Sequence, residues 1–182
     1  MMNTFVVYVE NKPGVLTRVA SLFRRRAFNI DSLTVGRTEK PEVSRMTITA
    51  EADQDQARRI EANLYKLVNV LLVENITHEP SIVRDLAMIK VAATHEARSH
   101  VLELASVFRA RVVDVAADSL TIEITGAEDK IDGLLEVLRP YGVLEMVRTG
   151  IVAMRRGKNT ISPATAIHGE LDIAEDDVSQ SV

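Results

Sequence analysis

The sequence predicts an α+β fold of two tandem ferredoxin-like modules, each with the order βαββαβ. Three observations carry this. Segments of two-residue hydrophobic period alternate with segments of helical period, and the same order occurs twice. A single breaker stretch, His78-Glu79-Pro80-Ser81, falls between the two runs. The chain has 182 residues, a length that suits two small domains.

In the first run, residues 4–10 read as a strand. Val15, Leu16, Val19, Leu22 and Phe23 form one face of a helix, with Thr17, Arg18, Ser21, Arg24 and Arg25 opposite. Phe28 to Thr38 reads as strand, and Glu39-Lys40-Pro41-Glu42 as a turn. From Arg45 to Ala50, apolar and polar residues alternate, as in a half-buried strand. Ala57, Ile60, Leu64 and Leu67 mark a second helix, and Leu67 to Val73 a fourth strand. The second run repeats the pattern. Leu86 to Ala92 is a strand, and Val101, Leu104, Ala105 and Phe108 mark a helix. Val112 to Ala116 and Leu120 to Thr125 are strands; Ile131, Leu134, Leu135 and Leu138 mark the last helix. Val143 to Met154 closes the module. The expected domains are residues 3–78 and 82–156. Residues 157–182 lack a sustained period and carry an Asp/Glu cluster at 170–177, which predicts a disordered acidic tail.

Composition narrows the function classes. The chain has no cysteine, so thiolate catalysis, disulfides and Cys-based metal sites are excluded. No apolar run is long enough for a membrane span, and no signal-peptide pattern opens the chain. A cytoplasmic protein is expected. Residues 1–80 hold 11 basic and 10 acidic groups, 81–156 hold 10 and 11, and 157–182 hold 1 and 5. The folded part is thus near neutral and lacks the basic field that nucleic-acid binding needs. Aromatic residues are 4% of the chain, and the strand Arg45–Ala50 has none to stack on bases.

Catalytic patterns are missing as well. His95 and His100 are five apart, a poor helical spacing for two ligands of one metal; His78 and His168 stand alone. The adjacent pairs Glu128-Asp129 and Asp176-Asp177 point to different faces and make no catalytic dyad. Arg24-Arg25-Arg26 sits where the helix dipole favours cations. No catalytic residue and no metal ligand is assigned.

One stretch asks for a function. Glu10-Asn11-Lys12-Pro13-Gly14-Val15-Leu16 joins the first strand to the first helix without a Ser/Thr-x-x-Glu capping box. The first N–H groups of such a helix lack intrahelical partners and suit a carboxylate. Gly14 has no Cβ to keep a ligand away. Asn11 and Asn29, before and after this helix, are expected to grip the charged ends of an amino acid. The plainer reading, Asn11 as a cap and Asn29 as a turn residue, stays open on these residues alone.

The run ENKPGVLTRVASLFRRRAFNIDSLTVG, with SRMTI at 44–48, resembles the N-terminal ACT domain of the acetolactate (acetohydroxyacid) synthase small subunit. KLVNVLLV at 66–73, RDLAMIKV at 84–91, VFRARVVDV at 107–115, SLTIEITG at 119–126 and the run from Asp129 to Gly157 continue the likeness over residues 3–157. The resemblance implies a regulatory subunit without its own active site. Its partner would be the catalytic large subunit, which carries thiamine diphosphate, Mg and FAD. It implies activation of that subunit and feedback inhibition by valine, bound where two ACT domains pair in a homodimer. The implied effector contacts are Asn11, Gly14, Val15, Leu16, Asn29 and Ile30. Ser32, Leu33, Thr34, Ser44 and Arg45 match the second shared motif and are expected to contact the large subunit or transmit the signal. An ACT sensor of another amino acid, serving another biosynthetic enzyme, is the alternative.

Overall fold

The computed structural model describes residues 1–158. The tail expected beyond them, His168 and Asp176-Asp177 lie outside the described residues. The element order of the first module is β1 (Met2–Glu10), α1 (Val15–Arg25), β2 (Ser32–Arg37), β3 (Val43–Glu51), α2 (Gln54–Leu64) and β4 (Val70–Asn75). The second follows with β5 (Ser81–Ala92), α3 (Arg98–Val107), β6 (Arg111–Val115), β7 (Ser119–Gly126), α4 (Glu128–Leu138), β8 (Val143–Arg148) and β9 (Val152–Arg155).

The first sheet runs β2-β3-β1-β4, antiparallel between neighbours. Register pairs Phe5 with Ile48 and Val7 with Met46. Alternation therefore sends Phe5, Val7, Val9, Met46, Ile48 and Ala50 to one face. There they meet Val15, Val19, Leu22 and Phe23 of α1 and Ala57, Ile60 and Leu64 of α2. Each large side chain fully buried in this core contributes about 1.5–3 kcal/mol.

The expected strand Phe28–Thr38 is shorter at its start. Ala27 takes a left-handed φ of 55° after α1, and the Phe28 N–H reaches back to the Phe23 carbonyl. The Phe28 ring then meets Phe23 edge-on, at 6.4 Å between centroids. This exit keeps residues 28–30 out of the sheet, and the Asp31 N–H makes the first bond to it, to the Thr49 carbonyl at 2.9 Å. α2 begins with a capping box that the hydrophobic pattern did not reveal: Asp53 accepts from Gln56 N–H, and the Gln56 side chain accepts from Asp53 N–H.

The second sheet runs β6-β7-β5-β8, with β9 also pairing β5. Its core joins Ala87, Ile89 and Val91 to Val101, Ala105, Leu120, Ile122, Ile124, Ile131, Leu134 and Leu138. The expected closing strand Val143–Met154 is two strands. Gly150, at φ 86°, breaks it, and the buried Asp85 carboxylate holds the break. Asp85 accepts from Arg148 Nε at 2.7 Å, Thr149 Oγ1 at 3.1 Å and Gly150 N–H at 3.2 Å.

By contacts, the chain divides into Met1–Ile82 together with the stretch from Ala153, and Val83–Val152. β9 thus belongs with the first module. Arg45 of β3 donates to the Ala153 carbonyl, and Arg155 pairs with Glu74 of β4 at 2.8 Å.

Candidate functional site

The turn between β1 and α1 is held from below. Asn11 N–H donates to the Glu42 carbonyl at 2.7 Å, and Asn11 Nδ2 to the Pro41 carbonyl at 2.9 Å. Asn11 therefore ties this turn to the β2–β3 turn, and its exposed amide keeps an oxygen that can accept. Glu10 pairs with Lys12 at 3.0 Å and accepts from Asn69 Nδ2, whose Oδ1 in turn accepts from Arg18. The bond from Asn69, then that from Lys12, lowers the Glu10 pKa below the usual carboxylate range. Local charges are thereby satisfied among themselves.

The helix start itself stays open. Gly14 is the N-cap, left-handed at φ 81°, with no side-chain cap and no acidic residue in the first turn. Such a φ favours glycine. Nothing lies within 4 Å of where a Cβ would stand, so space around Gly14 is free. Among the described residues, neither the Gly14 nor the Leu16 N–H donates to a backbone acceptor, and Val15 N–H makes only a long 3.4 Å contact with the Lys12 carbonyl. Val15 is buried in the core, whereas the Leu16 side chain is 45% exposed beside the opening. A bare helix start, an apolar side chain and an amide oxygen can receive the carboxylate, side chain and ammonium of a small amino acid.

Asn29 and Ile30 are not there. β1 and β2 both pair antiparallel with β3, so they run in the same direction. Glu10 pairs with Val43 at one end of β3, and Ser32 with Thr49 at the other. Asn11 and Gly14 lie at the first end; Asn29 and Ile30 precede β2 at the second. The 11 residues of α1 separate them by about 16 Å. Within one chain, the two asparagines do not converge. Asn29 is exposed, and Ile30 packs against the core.

The second motif divides in the same way. Ser32, Leu33 and Thr34 lie at the Asn29 end, with Leu33 on the core. Ser44 and Arg45 lie at the Asn11 end, where Val9 pairs with Ser44 and Tyr8 with Arg45. Arg45 lies over the Tyr8 ring at 5.7 Å and donates to the Ala153 carbonyl. Sequence reasoning did not find that bond, because its partner is 108 residues away. The Arg18–Asn69–Glu10 chain was missed for the same reason.

His78, His95 and His100 are exposed, and Glu128 and Asp129 open α4, where the helix dipole favours carboxylates. Among the described residues, no group of three or more His, Asp or Glu is placed to hold a metal, and no helix is long and apolar enough to cross a membrane.

A four-stranded sheet with two helices on one face, and an uncapped glycine-led helix at its end, defines an ACT-domain chain. Residues 5–72 match the family model for the AHAS small subunit-like ACT domain, and residues 84–157 that for the small subunit of acetolactate synthase. The chain is 52% identical over 157 residues to the probable acetolactate synthase small subunit of Archaeoglobus fulgidus, covering 86% of this chain and 98% of that one. It is 46% identical to the acetolactate synthase small subunit of Mycolicibacterium smegmatis, covering 89% and 95%. The crystal structure of the acetolactate synthase small subunit from Thermotoga maritima superposes with a TM-score of 0.81 at 39% identity, over 87% of this chain and 99% of that one. The chain belongs to the acetolactate synthase small-subunit family.

Proposed function

We propose that this chain is the non-catalytic regulatory subunit of an acetolactate synthase. It binds the catalytic large subunit, which condenses two pyruvates to 2-acetolactate and carries thiamine diphosphate, Mg and FAD. It raises that subunit's activity and makes it sensitive to valine. The open, uncapped start of α1 at Gly14 is the observation that carries this reading.

The separation of Asn11 from Asn29 supports a site shared between two copies. β2 is the edge strand of the first sheet. If β2 pairs antiparallel with β2 of a second copy, the two-fold reverses one sheet against the other. The Asn29 end of one copy then lies at the Gly14 end of its partner. Gly14, Val15, Leu16 and Asn11 of one chain would hold the carboxylate and side chain, and Asn29 and Ile30 of the other would close the site. Valine acts only by binding one arrangement of this dimer better than another. The usual size of such couplings is about 1–3 kcal/mol, and large-subunit binding must then change valine affinity by the same factor.

The test is acetolactate formation from pyruvate by the reconstituted complex, with and without valine. Wild-type chain should raise the rate and make it valine-sensitive. Gly14→Asp and Asn29→Ala should each raise the rate but blunt inhibition. Mixing the two variants in one dimer leaves one shared site intact, so partial sensitivity should return. If the mixture stays insensitive, the site is not shared. If neither single variant changes inhibition, the assignment to this helix start fails.

A further inference from the structure

A cavity of about 520 Å³ lies between the last turns of α1 and α2, away from the helix start at Gly14. It is lined by Leu22, Arg25 and Arg26 from one side and by Asn63, Lys66 and Leu67 from the other. None of these six belongs to the effector set. Leu22 is buried and Leu67 half-buried, which gives the cavity an apolar floor. Three cations stand over that floor, and the lining has no carboxylate. Among the described residues, Arg25, Arg26 and Lys66 form no ion pair. Arg26 Nη2 donates to Asn63 Oδ1 at 3.2 Å, which holds its guanidinium beside the cavity with further N–H donors to spare.

The dipole of α1 accounts for cations at the end of that helix. The dipole of α2 does the same for Lys66, two residues past the end of that helix, so the ends of both helices gather three cations around one hollow. Unpaired like charges around one cavity repel each other, and an anion bound among them removes that repulsion. A singly charged ion on so open a surface is screened at physiological salt. An ion with several charges engages all three cations together and gains bidentate contacts to the arginines. We propose that this cavity is a binding site for a compact multivalent anion, phosphate-bearing or polycarboxylic, distinct from the amino-acid site.

Calorimetric titration of the full chain with inorganic pyrophosphate at low salt tests this. Saturable binding is expected. The double variant Arg25→Gln/Lys66→Gln should weaken it at least tenfold and keep the wild-type melting curve. A control pair in the same module, Lys40→Gln/Arg58→Gln, removes the same charge and should weaken it less than twofold. No saturable binding, or equal losses in both pairs, overturns the proposal, since the cations then act as a diffuse field. A second arm identifies the source of the anion. The chain's own residues 170–177 carry five carboxylates, Glu170, Asp172, Glu175, Asp176 and Asp177. Converting these to their amides should tighten pyrophosphate binding at least threefold if they compete for the cavity. Unchanged binding would assign the site to a free anion.

Discussion

The first helix of each module starts at the same place in the βαββαβ order, yet the two starts are built in opposite ways. In the first module, Gly14 leaves the start of α1 bare, with open space before it. In the second, α3 also lacks a side-chain cap, but its first residue closes the loop. Arg98 Nη2 donates to the carbonyls of Ala93, Ala116 and Ala117, at 3.3, 2.6 and 2.7 Å. One guanidinium thus ties the loop before α3 to the β6–β7 turn, as the Asn11 side chain ties the first start to the β2–β3 turn. The same topology yields a start led by a left-handed glycine and one led by Ala97 in right-handed conformation, with Arg98 holding the loop before it. The contrast favours the first start as the place to test for the proposed effector.

Gly14→Asp should break the contrast with the largest effect. Two carboxylates about 4 Å apart near a protein surface repel by roughly 4 kcal/mol, so valine affinity should fall by up to about a thousandfold. The left-handed φ of Gly14 strains any side chain, aspartate less than most, at a cost of about 1 kcal/mol, so the melting temperature should fall by only about 2–4 °C. Calorimetry with valine and a thermal melt would separate the two effects. Next comes Arg98→Ala, which removes the three bonds to the carbonyls of Ala93, Ala116 and Ala117. Bonds from a charged group contribute about 1.5–3 kcal/mol, so denaturant unfolding should show a loss of that order while valine inhibition is unchanged. Should Arg98→Ala change inhibition instead, the second start would be part of the effector response. Asn29→Ala should have a smaller effect, weakening valine by about 0.5–1.5 kcal/mol, or roughly two- to twelvefold.

The smallest effect is expected at Glu10, beside the open start. Its folded pKa lies below the ordinary value, so ionised Glu10 adds stability above the ordinary carboxylate pKa. That contribution disappears as pH falls through the lowered folded value. Glu10→Gln should therefore melt slightly below wild type at neutral pH, with the gap closing on acidification. A gap that widened in acid would reverse the sign of this argument.

The order of elements was legible because hydrophobic period is local. Val15, Val19, Leu22 and Phe23 announce their helix within nine residues, and the structure buries all four. The candidate site was legible only in part. An uncapped start at Gly14 can be read from Asn11, Pro13 and Gly14 alone. The position of Asn29 cannot, because it depends on β1 and β2 running in the same direction on either side of β3. Nearness in sequence suggested nearness in space, and the helix between them carried them apart. The split of Val143–Met154 had a faint signal in Thr149-Gly150, but its cause, Asp85, is more than 60 residues away. Arg98 resembled any surface cation at a helix start until its three carbonyl partners were seen.

The return of β9 to the first module has a consequence for how the chain can be divided. The first module is assembled from two separate stretches of chain, with the second module's sequence inserted between them. Arg155 still holds Glu74, and Arg45 still holds Ala153, if the peptide bond is cut near Pro80. A protease nick in that linker should yield two fragments on a denaturing gel that travel as one species in a native column. A chain stopped before residue 150 would leave the first module without a strand its own sheet residues are built to hold.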